Sequence, residues 1–529
     1  MDSEDVRKLG EILSSPLLWA EAFLKDPASG ENFKANYLER RILSCNEKRI
    51  VIRAHRRGGK SYSMAVLALW AVSVHKYYDV LIACPDDDKV TELFEVINEF
   101  INSTPVLSDA LQERTKFPHL IKFKNGSTIK GRTTGTGGNK EGRALRGKGA
   151  NMVLVDEAAY MQDGDFKALT PIILGDKYKS ADGLEVRAII GSTPAEQKGR
   201  FFEWCSDTSG QWYQIHVPIT ENPDFTEEDI DERRSLSTDM EFTCEYLAEF
   251  LEAGFSAFRV KDIERAKVDY RYVERGSPRG SAHRAMGVDW DKYQAGVNIC
   301  IVELVPGQTK YRLIYREEVP RSDYTLTNAV KRVIALNESF DPEFIYVDRG
   351  YGEHAVEELK LYGKNNASSG LATKVVGFNF NENVVINDPV DGKPVKKQFK
   401  TVMINTLLKL LEDGLLEISV YDRIFDKQLK DYKIVGMGSN IIRTTRRNEH
   451  IIDACGLACY ALHSHYQDKL QYVKATKSYA LPLPKIVPSK RTLKLEKDMF
   501  RGMRGGMTDR GIWSGFSRGS IGNISRSSF

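Results

Sequence analysis

The chain has 529 residues, 41% apolar and 28% charged, with a net charge of +3 at pH 7. That length predicts two or three domains with sizeable cores, and the near-balanced charge requires any polyanion to be held by local basic patches. Seven cysteines at 45, 84, 205, 244, 300, 455 and 459 form no C-x-x-C pair, which excludes zinc ribbons and a disulfide framework and points to a reducing compartment. No apolar run reaches membrane-spanning length, and the acidic start Met1-Asp2-Ser3-Glu4-Asp5 predicts no secretory leader.

Residues 1–47 read as an approach segment. Leu17 to Leu24 has helical spacing and stops before Asp26-Pro27, and Tyr37 to Leu43 carries a second helix up to the first strand. The apolar run Arg49-Ile50-Val51-Ile52 predicts a buried strand. It opens into Arg53-Ala54-His55-Arg56-Arg57-Gly58-Gly59-Lys60-Ser61 and then the apolar helix Tyr62 to Trp70. Strand, Gly-rich turn, Lys-Ser and helix is the order a phosphate cradle needs. Backbone N–H groups of the turn and the helix N-terminus point at an anion, and Gly58 and Gly59 let the backbone approach it closely. Lys60 then reaches the β- and γ-phosphates of a nucleotide, and Ser61 offers its hydroxyl to Mg²⁺. Ala54 stands where the usual pattern starts with glycine. Tyr37 or Arg41 packs on an adenine, or both belong to an ordinary core helix.

Strands then alternate with helices. Asp79 to Pro85 predicts a second buried strand, and Asp87 to Ser103 an amphipathic helix. Leu120 to Lys130 predicts a hairpin about Asn125-Gly126. Gly131 to Gly149, rich in glycine and arginine, reads as a mobile loop. Asn151-Met152-Val153-Leu154-Val155-Asp156-Glu157 fits a buried parallel strand whose carboxylates emerge at its C-terminal end, where open α/β sheets bind ligands. Asp156 is placed to bind Mg²⁺ and Glu157 to activate the attacking water. Val186 to Ile190 predicts another strand, ending in Gly191-Ser192-Thr193-Pro194. Ser192 and Thr193 read either as a γ-phosphate sensor or as a turn. Glu227 to Glu252 is charged with a helical pattern, and apolar density drops across 254–282, which reads as a linker between a 48–253 domain and a 283–468 domain.

The second domain opens with Ala285-Met286-Gly287-Val288-Asp289-Trp290-Asp291. Strands Gly296 to Val302 and Tyr311 to Tyr315 complete an antiparallel meander. A helix with Ala329-Val330 and Val333-Ile334 follows, then the strand Phe344 to Asp348. Phe399 to Gly414 predicts a helix with Lys396, Lys397 and Lys400 at its start, and His450 to Leu462 an apolar helix with Asp453 in its first turn. Asp289, Asp348 and Asp453 thus end or open elements built to be buried, and a buried carboxylate needs a partner charge or a metal. Strand acid, meander, helix, strand acid and helix acid is the order in which a ribonuclease H-like sheet gathers two Mg²⁺ or Mn²⁺ ions. Two ions about 4 Å apart activate water and stabilise the leaving oxygen of a phosphodiester. Asp291 is a candidate fourth ligand, and His450 a residue that orients a ligand or meets the phosphate. Lys433 to Arg447 reads as a hairpin whose Arg443, Arg446 and Arg447, with Lys400, suit a DNA backbone without base readout. From Lys469 onward the tail holds thirteen Lys and Arg against three Asp and Glu and few aliphatics, and is expected to be disordered alone.

Taken together, Arg56 to Ser61, Val153 to Ala159, Gly191 to Pro194, Glu245-Tyr246, Gly287 to Asp289, Tyr346 to Asp348 and His450 to Ala454 resemble the large terminase subunit of tailed bacteriophages over roughly residues 15–465. The first two motifs are shared by many ATPases. The final acid-bearing helix downstream of an ATPase makes the resemblance specific. It implies an α/β chain: an ASCE-type P-loop ATPase domain with a central parallel sheet, then a ribonuclease H-like nuclease domain with a mixed sheet. It further implies an ATP-driven motor that pumps double-stranded DNA through a portal into a procapsid, and a Mg²⁺- or Mn²⁺-dependent endonuclease that cuts the genome. Its partners would be the portal protein, the small terminase subunit and copies of itself in a ring, expected as a pentamer on the portal and a monomer in solution, in the host cytoplasm. By position, Lys60 and Ser61 match the family's phosphate loop, Asp156 its Mg²⁺ ligand, Glu157 its catalytic base, Ser192 and Thr193 its coupling motif, and Asp289, Asp348 and Asp453 its nuclease acids. Its arginine finger falls on Arg56 if supplied in cis, or on Arg143 or Arg146 if supplied to a neighbouring subunit. The family's adenine-side Tyr-Gln pair appears as Tyr37-Leu38. The competing reading is a DNA helicase or translocase without nuclease activity, which predicts a second ATPase-like lobe.

Overall fold

The structure, a computed structural model, describes residues 3–134, 145, 149–175, 185–252, 256–275, 282–291, 296–304, 309–387, 392–438, 441–444, 449–471 and 485–486. Contacts divide the chain into two units, Met1–Pro484 and Lys485–Phe529. Of the second, only the short strand Lys485–Ile486 is described. The first unit holds two large sheets.

The first sheet is built from β1 (Arg49–Ala54), β2 (Asp79–Cys84), β3 (Leu111–Thr115), β4 (Leu120–Phe123), β5 (Thr128–Thr133), β6 (Met152–Val155), β7 (Arg187–Ser192) and β8 (Tyr213–Val217). Their order is β3-β4-β5-β2-β6-β7-β1-β8. All pairings from β5 to β8 are parallel, and β3-β4-β5 is antiparallel. The inner strands are apolar on both faces because helices cover both. Every residue of β6 is buried, as is Ile50 to Ile52. The helix Lys60–Val74 is buried nearly all round, so its apolar run has no polar face to declare a period. Tyr37–Leu43, as expected, is a helix leading into β1, started by a reciprocal cap between Asn36 and Glu39. β7 lies between β1 and β6. That strand order brings three strand ends side by side: the phosphate loop after β1, Ser192-Thr193 after β7, and Asp156-Glu157 after β6.

Glu227 to Glu252, charged and helical in pattern, is not one helix. The helix Glu227–Leu236 stops, and Thr238 and Glu241 cap a new turn, Asp239–Glu241, that runs into a wide π-helical turn at Phe242–Tyr246. A capping box in mid-pattern restarts the helix in a new direction. Within the stretch read as a linker, the described residues 256–275 include ordered elements. Phe258, Ile263 and Ala266 are buried, the helix Val260–Ala266 forms, and β9 (Lys267–Val268) pairs with the second sheet. Three well-spaced apolar residues suffice to dock a short helix, although mean apolar density is low.

The second sheet contains β9, β10 (His283–Asp291), β11 (Gly296–Leu304), β12 (Tyr311–Val319), β13 (Phe344–Asp348) and β14 (Val375–Phe378). An antiparallel pair, β15 (Asn383–Asn387) and β16 (Pro394–Gln398), follows, and β17 (Leu416–Ser419) returns to the sheet. The order is β14-β13-β10-β11-β12-β17-β9. β10-β11-β12 is the expected antiparallel meander, and β13 joins β10 in parallel. A two-stranded hairpin, β18 (Ile434–Gly438) and β19 (Ile441–Thr444), precedes the helix His450–Gln471.

That last helix lies across β10 and β11, where the Cys300 thiol reaches the Ile451 carbonyl at 3.8 Å. Gly287 makes the approach possible. A β-carbon there would collide with the Ala454 carbonyl oxygen and lie 2.7 Å from the Ala458 nitrogen, both backbone atoms that have nowhere to go. Gly287→Ala is therefore expected to lower the thermal midpoint by several degrees, through an overpacking cost of about 1–3 kcal/mol or more. An unchanged midpoint in differential scanning calorimetry would show that the helix does not rest on β10.

Candidate functional site

Two sites lie at the ends of these strands. The first is a cavity of about 870 Å³ above β1, β6 and β7, lined by Arg56, Arg57, Gly59, Lys60, Ser61, Glu157 and Thr193. Gly59, at the start of the helix Lys60–Val74, has φ +103°, a left-handed conformation that turns the loop into the helix. A β-carbon there would lie 2.6 Å from Glu39 Oε1. Lys60 is buried and its ammonium donates to the carbonyls of Ala54 and His55 at 2.8 and 2.9 Å. Ser61 Oγ donates to Asp156 Oδ2 at 2.6 Å, which pairs the hydroxyl and the carboxylate expected to share Mg²⁺. Glu157 is left-handed at φ +55°, a strained conformation for a glutamate and common at functional sites. Ser192 Oγ donates to Glu157 Oε2 at 3.4 Å, and Tyr160 OH meets Thr193 Oγ1 at 3.5 Å. Surrounding protein, then the charge of Asp156, pushes the Glu157 carboxyl above its ordinary range, and Lys60 opposes them. The strand order thus brings Lys60, Ser61, Asp156, Glu157, Ser192 and Thr193 together.

Arg56 lines the cavity and faces Glu245, with Nε 3.8 Å from Oε2 and the Arg56 N–H donating to the Glu245 carbonyl at 2.6 Å. Arg143 and Arg146 lie outside the described residues. Tyr37 does not line the cavity, although Asn36 and Glu39 do. Its N–H donates to Asp224 Oδ2 at 3.0 Å and its ring lies against Arg41. Helix geometry turns Tyr37 away from the cavity, where it packs against the core, and Glu39, two residues on, toward the cavity. Gly58 packs with Leu38 and His55 under the loop. Asn36, Glu39, Asp86, Lys89, Tyr160 and Glu245 also line the cavity and were not read as site residues. Asp86 carried a signal, a helix cap after a buried strand, and Glu245 stood in one of the motifs of the resemblance.

The second site lies at the C-terminal end of β10 and β13. Val288 and Val347 are paired in register, so Asp289 and Asp348 leave adjacent strands at the same end. Asp289 Oδ2 is 2.8 Å from His450 Nδ1. Asp453, one turn after His450, is buried, and Lys400 Nζ lies 3.0 Å from its Oδ2 and 3.0 Å from Glu449 Oε1. Burial, then Glu449 and Asp289, pushes the Asp453 carboxyl well up, with Lys400 opposing. Burial alone would lower Lys400, but the charges of Asp453 and Glu449 override it and hold the ammonium above its ordinary range. Asp348 Oδ1 accepts from the Gly350 N–H at 2.9 Å and caps the helix Arg349–Asn365.

Lys400, expected to contact DNA, forms ion pairs within the acid cluster. Glu449, four residues before Asp453, is a site residue the sequence reading missed; an acid one helical turn from another was its signal. Asp289, Asp453, His450, Lys400 and Glu449 come together. Among the described residues, however, no three His, Cys, Asp or Glu side chains are grouped closely enough to hold a metal ion. The donor set still fits a cation: the buried Asp453 Oδ1 has no hydrogen-bond partner, and the carboxyl groups of Asp289 and Glu449 stand close enough to act on it. Arg446 and Arg447, and the side chains of Asp291 and Arg443, lie outside the description, as do the tail beyond Ile486 and most of the glycine- and arginine-rich loop before β6.

A parallel-dominated sheet with a phosphate loop, an intervening strand and a paired Asp-Glu is an ASCE-type P-loop ATPase fold. The meander sheet with acids at one end and a helix across it is ribonuclease H-like. Both folds joined in one chain also describe the large terminase of a thermophilic bacteriophage, which superposes with a TM-score of 0.53 at 12% identity, covering 81% of this chain and 99% of that one. The complex of that same phage terminase with ADP gives a TM-score of 0.50 at 13% identity, over 79% and 94%. The large terminase of bacteriophage HK97 aligns at a TM-score of 0.37 and 12% identity, over 85% and 99%. No protein-family model and no curated protein matches the chain. The chain has the two-part fold of a phage large terminase. Among the described residues, no helix is long and apolar enough to cross a membrane.

Glu39 yields a pH test of the cavity floor. Burial pushes its carboxyl up to about 7, while the Asn36 N–H pulls it down and Asp224 adds to the rise. The ordinary value is 4.5. Between these values the folded state keeps a proton that the unfolded chain has released, so stability falls as pH rises through the window and is flat above it. Glu39→Gln keeps the cap acceptor and removes the loss. The variant is expected to exceed the parent by on the order of 1–3 kcal/mol at pH 8, and by little at pH 5. Urea midpoints at the two pH values measure this, and an equal difference at both would rule it out.

Proposed function

We propose that this chain is a viral DNA-packaging motor and endonuclease: ATP hydrolysis at the first site drives double-stranded DNA into a procapsid, and the second site cuts the genome. One observation carries the reading. A phosphate loop with its Ser61–Asp156 pair and an acid cluster about Asp289 and Asp453 occur at the ends of two different sheets in one unit. A helicase or translocase without nuclease activity predicts a second ATPase-like lobe; the mixed meander sheet with its acid cluster speaks against that reading.

The cavity volume and its left-handed glycine at a helix start suit a nucleoside triphosphate. Ser61 and Asp156 would hold its Mg²⁺, which supplies charge neutralisation on the β- and γ-phosphates. Lys60 turns from the loop carbonyls to the phosphates. Glu157, with its raised carboxyl, accepts a proton from the attacking water and passes the change through Ser192, the coupling residue, with Thr193 beside it. Arg56, set by Glu245, supplies the finger in cis; Arg143 or Arg146 remains the alternative in trans.

In the nuclease, Asp289, Asp348 and Asp453, with Asp291, would hold two Mg²⁺ or Mn²⁺ ions, which supply Lewis-acid activation of water and phosphodiester. Lys400 offsets the charge of Asp453 and Glu449 until then, and the His450 ring orients Asp289. Arg443, Arg446 and Arg447 follow the DNA backbone. The partners are double-stranded DNA, the portal protein, the small terminase subunit and further copies in a ring, in the host cytoplasm and transiently on the procapsid. The domain limits proposed are 48–253 for the ATPase and 283–468 for the nuclease, with the approach segment 1–47 before them and the basic tail after them.

Two substitutions separate the activities. Glu157→Ala is expected to reduce ATP turnover by about 100-fold or more while Mn²⁺-dependent plasmid cutting persists. Asp289→Ala should abolish cutting and leave ATP turnover near that of the parent. If neither substitution affects cutting, the nuclease assignment is wrong; if Glu157→Ala hydrolyses ATP normally, the base is misassigned.

A further inference from the structure

The nucleotide cavity has a wall that the phosphate loop does not supply. Pro394, Val395 and Lys396 of β16 line the same cavity as Lys60, Ser61 and Glu157. We propose that Lys396 is a nucleotide-binding residue, contributed by the second-sheet region, whose ammonium meets the phosphates of a nucleoside triphosphate held by Lys60. This rests on the nucleotide-binding reading of the first site.

Charge balance in the cavity argues for it. Six acids line it, Glu39, Asp86, Asp88, Glu92, Glu157 and Glu245, of which burial pushes Glu39 and Glu157 toward the neutral form, beside five bases, Arg56, Arg57, Lys60, Lys89 and Lys396. Of these cations, Arg56 lies beside Glu245 and Lys89 donates to Glu92 at 2.6 Å. A polyanion entering such a cavity needs cation density beyond what the loop provides, and an ammonium is a compact point charge suited to a phosphate. Lys396 is exposed to the cavity mouth, so it reaches phosphate oxygens without first losing a buried environment.

The strand is also fixed to the cavity wall. Lys397 Nζ lies 3.3 Å from Glu241 Oε1, and Asn405 Nδ2 donates to the same oxygen at 2.7 Å. Lys409 Nζ donates to the Ser237 carbonyl at 3.1 Å, and the Asp239 N–H to Glu412 Oε2 at 3.2 Å. Glu241 leads directly into the Phe242–Tyr246 turn, whose Glu245 is itself part of the wall. Four bonds therefore hold β16 and the helix after it, Phe399–Glu412, against the segment that carries Glu245. These bonds fix the backbone that carries Lys396, so binding has only its side chain to order.

The test uses the full chain and a fluorescent ATP analogue, with Kd measured at low and high salt and KM and kcat for ATP. Lys396→Ala is expected to raise Kd and KM by roughly 5- to 30-fold with kcat changed less than about threefold, to flatten the salt dependence, and to be restored by Lys396→Arg. Lys393→Ala, on the same segment but outside the cavity, should bind as the parent does. Lys60→Ala is the reference. If it binds nucleotide like the parent, the nucleotide-binding reading fails. If Lys60→Ala loses binding while Lys396→Ala keeps the parent's Kd, or if Lys396→Arg does not restore it, the proposal for Lys396 is overturned. Thermal midpoints within a degree or two of the parent exclude unfolding as the cause of a raised Kd.

Discussion

A carboxylate withdrawn from water requires a cation beside it, and both sheets of this chain end in such pairings. Glu157 is opposed by Lys60, and Asp453 by Lys400. The desolvation cost of an isolated buried charge amounts to several kcal/mol, so the elements that carry each partner must come together for either to be buried. Lys60 and Glu157 follow strands separated by β7, and Lys400 and Asp453 lie on two helices packed side by side. The fold makes these buried charges tolerable, and the charge pairs in turn hold strand ends and helices in place.

The same rule joins the two halves. Glu241 accepts from Lys397 and Asn405, both from the second-sheet region, and opens the turn that presents Glu245 to the nucleotide cavity. β16 thus touches the cavity through Lys396 and continues into the helix that holds Asp453 through Lys400. The two lysines stand four residues apart, on either side of the junction between β16 and that helix.

Much of this was legible in the residues. The phosphate loop, the apolar strand ending in Asp156-Glu157, the Asn-Gly hairpin and the meander after Asp289 each follow from local rules of period, turn chemistry and glycine. What escaped had weak local signals. Glu39, in the first turn of its helix, caps that helix and also lines the cavity, where Gly59 packs on it. Lys400 reads as a surface base at a helix start, and only its distant partners Glu449 and Asp453 draw it inward. The 254–282 stretch reads as a linker because three buried apolar residues among many polar ones do not form a visible period. Of the two readings of Tyr37, at an adenine or in an ordinary core helix, the structure places it against the core, while Glu39 on the same helix lines the cavity.

By itself the sequence determined which elements form and which carry the chemistry, because backbone propensity, side-chain period and motif spacing act over a few residues. Only the tertiary structure decided which charges meet. The interleaving of β7 between β1 and β6, the closeness of the last helix to Gly287, and the reach of β16 to the nucleotide cavity all depend on contacts between residues far apart in the chain. Their physical basis is burial: a charge or a glycine is placed by what packs against it, and that partner is not its neighbour in sequence.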